Sequence, residues 1–372
     1  MIGLSGNRPM RVPAVGLGVL LLALGACSSD GSDGSGSGSG SGDAKTTVAQ
    51  FLPHTEAVRF KTIDAPEFEK AVNASCPECG VILQNAEGDA GNEQRQMDAA
   101  IGQGVDAMVV DPVDGQALAG VVNNARQKGI PVISYDALIQ DVPLDYYVSF
   151  DNVVVGQQIA TSLVDQMKAL GTTDKCLVVI KGDAKDNNAS VFWSGSEPVI
   201  QDAGLDICFE TNTPAWSAEN AQREMDQAIT KIGKDNIGGV YSMNDSMAAG
   251  IVASLKGAGV DLSQVPVTGQ DGDTAAIQRI LVGEQYMTVW KDTFALAKEA
   301  AKVALQLANK EDPAGEQSVD NGSGDDIPAT LLPPVVVTKD NIADTVIKSG
   351  FIKVADLCTG PYADACAEAG IQ

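Results

Sequence analysis

Several short apolar runs in this 372-residue chain end on a side chain that can hydrogen-bond a hydroxyl group. They are Val110-Asp111, Tyr135-Asp136, Ser242-Met243-Asn244-Asp245, Gly269-Gln270-Asp271 and Trp290-Lys291, and the loop after Ile180 adds Asp186-Asn187-Asn188. A carboxylate accepts hydroxyl hydrogen bonds, a carboxamide both donates and accepts, and an ammonium donates. Together they suit a neutral ligand rich in hydroxyls. Phe60, Trp193 and Trp216 sit in polar stretches and can offer flat apolar faces to a sugar ring. Asp and Asn at such positions also cap the helix that follows. For Asp111 and Asp245 both roles stay open, whereas Asp273 can take the cap after Asp271 and leave Asp271 free.

Other chemistries find little support. The chain carries neither a phosphate-binding loop of the Walker type nor a dinucleotide glycine fingerprint, and its one histidine, His54, makes no metal or nucleophile motif. The stretch from Asp183 to Asn187 lacks the glycine and terminal glutamate of a calcium loop. No cofactor and no metal are expected. Paired acids abound, but nothing singles out one pair for glycoside hydrolysis. The formal charge of −24 repels nucleic acid and anionic lipid.

The elements that must position these residues alternate regularly. Strands are expected at Thr47–Leu52, Val81–Asn85, Ala107–Val110, Pro131–Tyr135 and Tyr147–Phe150, with helices at Ala65–Ala74, Glu93–Gln103 and Gly115–Lys128. Gly104 and Gly129 stand where a left-handed helix cap is wanted. The rhythm restarts after Asp151-Asn152, with strands at Cys176–Ile180, Ile207–Phe209, Gly239–Ser242, Pro266–Gly269 and Met287–Trp290. Ser318–Ile327 reads as a polar loop or crossover and Leu331–Thr338 as a last strand. Strands alternating with helices predict an α/β fold of two doubly wound parallel-sheet lobes. Ligands of such sheets bind beyond the carboxyl ends of the strands, where the side chains above would gather.

The N-terminal region reads as an export signal. Arg8 and Arg11 precede an apolar stretch, Val12–Ala23, that is too short to span a bilayer. It ends in Leu24-Gly25-Ala26-Cys27, small residues before a cysteine, which resembles a bacterial lipobox. Residues 1–26 are then a lipoprotein signal peptide, Cys27 the lipidated residue, and 27–45 a Ser/Gly tether. Cleavage leaves 23 basic against 49 acidic residues, near −26. Six cysteines remain, an even number in an oxidising compartment. Of fifteen connectivities, nearest pairing is simplest: Cys76 with Cys79, Cys176 with Cys208, Cys358 with Cys366.

From about Val48 to Lys353 the chain resembles the periplasmic sugar-binding proteins of ABC importers, most of all the xylose-binding type. The matching stretches are Gln84-Asn85-Ala86 with Asn92-Glu93, GVDAMVVDPVDGQAL, GIPVISYD, YYVSFDNVVVGQ, GDAKDNNASVF, TGQDGDTAAIQRI, MTVWKD and DNIADTVIKSGF. The resemblance implies a type I periplasmic-binding-protein fold, with a three-strand hinge and lobes at 46–152 plus 292–327 and 153–291 plus 328–372. It implies sugar contacts from Arg59, Phe60, Asp136, Asn188, Trp216, Asn244, Asp271 and Lys291. It implies a monomeric receptor without enzymatic activity that delivers one monosaccharide to a membrane permease. A sensory role, with the closed form read by a membrane receptor, and a sugar-processing enzyme are the alternatives. One position departs: the family usually has arginine directly after the fourth-strand acid, and this chain has Ala137. That removes a fork of five N–H donors and separates "small sugar or polyol" from xylose itself.

Overall fold

Alternating runs of branched apolar residues set the frame of the computed structural model, which describes residues 46–371. The leader, Cys27 and the tether lie outside the described residues. The strands are β1 (Thr47–Leu52), β2 (Gly80–Asn85), β3 (Ala107–Val110), β4 (Val132–Tyr135), β5 (Tyr146–Phe150), β6 (Cys176–Lys181), β7 (Ile207–Asn212), β8 (Ile237–Ser242), β9 (Gln270–Asp271), β10 (Met287–Trp290), β11 (Gln317–Asp320), β12 (Asp326–Leu332) and β13 (Val335–Thr338). The first sheet has the order β11-β12-β5-β4-β3-β1-β2 and is parallel except for β11. Its inner strands β3, β4 and β5 are buried throughout, as expected of parallel strands covered on both faces.

The second half builds β7-β6-β8 and β13-β10-β9, linked by a parallel bridge between Val240 and Val267. The strand expected at Pro266–Gly269 is irregular, and the regular pairing falls on Gln270–Asp271. Pro266 has no N–H to give, and the hydroxyl of Thr268 accepts the Ser242 N–H in place of a backbone carbonyl. Gly104 and Gly129 both have the expected positive φ, +76° each.

The chain passes between the two halves near Asp151, near Lys291 and again after Leu332. The helix Asn152–Leu170 packs on β8 and β10, whereas the helix Thr293–Ala308 packs on β3 and β5. Two expectations near the last passage change. Gln317–Asp320 is not loop but the outer strand of a hairpin with β12. The single strand Leu331–Thr338 is instead two, because Pro333-Pro334 breaks the ladder: β12 pairs with β5 through Leu332, beyond the boundary expected at 328, and β13 pairs with β10. Disulfides join Cys76–Cys79, Cys176–Cys208 and Cys358–Cys366, the nearest pairs. Among the described residues no helix is long and apolar enough to cross a membrane.

Candidate functional site

The carboxyl ends of both sets of strands meet around one cavity, lined among others by Arg59, Phe60, Asp136, Asn188, Trp216, Asp271 and Lys291. Asp136 leaves β4 with φ +56°, a conformation that non-glycine residues avoid. Its carbonyl is held by the Tyr147 hydroxyl at 2.8 Å and the Ser149 hydroxyl at 2.7 Å. Those two bonds fix the turn and aim the carboxylate. Oδ2 accepts from Arg59 Nη1 at 2.6 Å, and Oδ1 accepts from Asn188 Nδ2 at 3.2 Å. Burial raises the carboxyl, but Arg59 and Lys291 with these hydrogen bonds outweigh it, and Asp136 ends below the usual range.

Arg59 is 3% exposed. Its Nε and Nη2 grip both oxygens of Asp64 at 3.0 and 2.7 Å, and Tyr135 also donates to Asp64. Its guanidinium lies 5.0 Å from the Phe60 ring centroid, and Phe60 meets His54 edge-on. Lys291, 1% exposed on the second passage between the sheets, sits 3.1 Å from Asp271 Oδ1 and over the rings of Phe150 and Phe192. Both cations thus already face carboxylates, and neither is left to neutralise an anionic ligand.

Asp271 has φ +110°, followed by Gly272 at +81°. This turn is pinned by Asp245, whose Oδ2 accepts from the Gly272 and Asp273 N–H groups at 2.9 and 3.0 Å and from the Thr288 hydroxyl at 2.9 Å. Asp245 therefore does not act as a helix cap. Asp273 holds the cap position, as expected, but its side chain makes no capping bond. Burial pushes Asp271 upward, opposed by Lys291 and Arg59.

Trp216 follows Ala215 in a tight turn with φ near +55° at both. Its Nε1 donates to Asp186 Oδ2 at 3.0 Å, and the Ala215 N–H donates to Asp183 Oδ2 at 2.7 Å. The indole lies on Gly182, where an added Cβ would stand 2.0 Å from the ring. Glycine is required there.

Two expectations fail to reach the cavity. Asn244 is not among its lining residues; its Oδ1 accepts the Met247 N–H at 2.8 Å and caps the helix Asp245–Gly257. Trp193 turns away to pack on Tyr241 and Lys181. Its neighbour Phe192 lines the cavity instead. That exchange was legible, since positions 188 and 192 share a face of the helix Asn187–Asp202. His54, Asp186 and Gln270 also line the cavity, and Asp64 supports it from behind. Burial raises Asp186 to about 7 and lowers His54 to about 4. Across the rim, Gln140 donates to Asn187 Oδ1 at 2.6 Å and Ser246 to the Glu56 carbonyl at 3.4 Å.

Three buried polar atoms of lining residues have no hydrogen-bond partner among the described residues: His54 Nδ1, Asp111 Oδ2 and Gln270 Oε1. A buried polar atom left unmatched is costly, so a partner from outside the protein is called for.

The sequence profile of the periplasmic binding protein domain family matches residues 48–312. The D-xylose-binding periplasmic protein of Escherichia coli is 37% identical over 281 residues, covering 74% of this chain and 83% of that protein. The multiple sugar-binding periplasmic receptor ChvE of Rhizobium radiobacter is 32% identical, covering 75% and 83%. The crystal structure of an ABC transporter solute-binding protein from Clostridium phytofermentans with bound β-D-glucose superposes with a TM-score of 0.76 at 30% identity, covering 84% and 100%.

Proposed function

This chain belongs to the periplasmic binding protein domain family, and on that footing we propose that it is the sugar receptor of an ABC importer. It takes one monosaccharide, a xylose-like pentose or a related sugar or polyol, between two closing lobes and delivers it to a membrane permease. The observation that carries this reading is the set of three unmatched polar atoms on a wall whose two cations, Arg59 and Lys291, already face carboxylates. Hydroxyl groups both donate and accept, so a neutral polyol matches acceptors and donors alike without adding charge. Phe60, Phe192 and Trp216 supply flat apolar faces for the ring.

The lobes in this reading are 46–151 with 292–332, and 152–291 with 333–371. The polypeptide is exported, cut before Cys27 and held to the membrane by a lipid on that residue, and it works as a monomer without turning over its ligand. Arg59, Phe60, Asp136, Asn188, Trp216, Asp271 and Lys291 contact the sugar, and Asn244 shapes the helix end beside them.

A thermal-shift screen of pentoses, hexoses and polyols tests this. A ligand at a hundred times its dissociation constant stabilises by about 2.7 kcal/mol. No shift with any of them, and no heat on titration, overturns the reading.

A further inference from the structure

Ala137 leaves open which group replaces the donors of the arginine that the family carries after the fourth-strand acid. The structure puts another side chain against that position. Asp111, 3% exposed at the end of β3, accepts the Ala137 N–H on its Oδ1 at 3.4 Å. Its Oδ2 has no hydrogen-bond partner among the described residues, although the residue lines the cavity. Capping does not account for it. The loop that follows is held by other acids: Glu93 Oε2 accepts the Val113 N–H at 2.9 Å, and Asp114 Oδ1 accepts the Gln116 and Ala117 N–H groups at 3.1 and 3.2 Å.

We propose that Asp111 contacts the ligand beside Ala137, donating a hydrogen bond from Oδ2–H to an oxygen of the sugar. This deepens the sugar-receptor reading and rests on it. The donor role follows from what surrounds the group. Oδ1 is already engaged as an acceptor, and Arg59 is bound to Asp64 and Asp136. A second buried carboxylate beside the ionised Asp136 would have no cation of its own. Burial, reinforced by Asp136 and Asp186, pushes the Asp111 carboxyl well above the usual range, the direction that favours the protonated, donating form. A neutral acid supplies one O–H donor beside Ala137 and brings no charge into the site.

Titration calorimetry with D-xylose, D-glucose and xylitol decides it, using wild type, Asp111→Asn and Asp111→Ala. Asparagine keeps a donor and an acceptor without charge, so its affinity should fall at most about threefold, whereas alanine should lose at least about tenfold, a hydrogen bond's worth. The ligand-free melting temperature of Asp111→Ala should change little, because the unmatched Oδ2 is gone but the buried Ala137 N–H loses its acceptor. Alanine binding as tightly as wild type overturns the contact. Asparagine binding as poorly as alanine overturns the donor role, since only an accepting carboxylate is then missing. Wild type binding none of the three probes fails the receptor reading itself and the contact with it, an outcome separate from the other two.

Discussion

The guanidinium of Arg59 is shared between Asp136, 2.6 Å from Nη1, and Asp64, which takes Nε and Nη2. One edge of the fork is structural and the other faces the cavity. The consequence is that Asp136 remains an ionised acceptor in a site otherwise hostile to charge, with Lys291 3.8 Å away on the other side. A guanidinium suits this task because its planar fork binds a carboxylate bidentately and still has N–H groups to offer a second partner.

Replacing Arg59 therefore affects stability and binding together. Arg59→Ala strands two buried carboxylates, and loss of one partner from a buried ion pair costs about 3–5 kcal/mol. Arg59→Lys keeps the charge but not the fork, and should fold with a smaller loss while binding sugar at least about tenfold more weakly. Urea denaturation and calorimetry on both variants check this. Wild-type affinity in the lysine variant would mean that Arg59 only buttresses Asp64.

Gly182 offers a probe of the indole. A methyl at this position meets the Trp216 ring at 2.0 Å, far inside van der Waals contact, so one of the two must move. Gly182→Ala should shift the tryptophan emission and weaken sugar binding by about tenfold or more, in line with the loss of a stacked ring face. The disulfides lie elsewhere and should stay formed. Unchanged emission and affinity would show that Trp216 is not held where the cavity needs it.

Asp245 tests whether the turn at Asp271 is held from behind. Besides the Gly272, Asp273 and Thr288 donors, it accepts from Gln285 Nε2 at 2.8 Å, and none of these groups belongs to a ligand. Asp245→Asn turns one acceptor into a donor facing donors, at a cost of about 1–3 kcal/mol. The turn should relax toward negative φ at Asp271, moving the carboxylate off Lys291. Affinity should drop for every sugar by a similar factor, which a simple loss of stability would not produce at temperatures well below melting.

Much of this was legible in the sequence because parallel strands end where helices begin, and polar residues at those ends have few roles to choose from. Asp136, Asp271 and Lys291 follow from that rule alone. What escaped depends on which way a side chain turns. Asn244 has the right type and place, yet its carboxamide is drawn to the free N–H of Met247. Trp193 stands in a polar stretch, yet helix periodicity from Asn188 selects its neighbour Phe192. Asp64 sits in a turn of wider helix, Phe60–Asp64, whose spacing matches no regular pattern. The split at Pro333-Pro334 was readable from proline chemistry, but an apolar run on both sides hid it.

Glu93 gives the last prediction, one that needs no ligand. It is fully buried under the Asp111–Val113 loop, and burial raises its carboxyl to about 8, only partly offset by the Val113 N–H. Half-buried Asp186 behaves alike, near 7. Each acid has a folded value above its unfolded one, so between the two the native state holds the extra proton and stability falls as pH rises. His54, lowered to about 4, works the other way between pH 4 and about 6.5 and is neutral in both states above that. From pH 6.5 to 8 the acids act without that opposition. The melting temperature should decline across this interval, with Glu93 contributing at most about 2 kcal/mol. Glu93→Gln still has an oxygen to accept the Val113 N–H and cannot ionise, so its decline should be shallower and its melting temperature at pH 8 higher than wild type. Parallel curves for the two proteins would place the titrating group elsewhere.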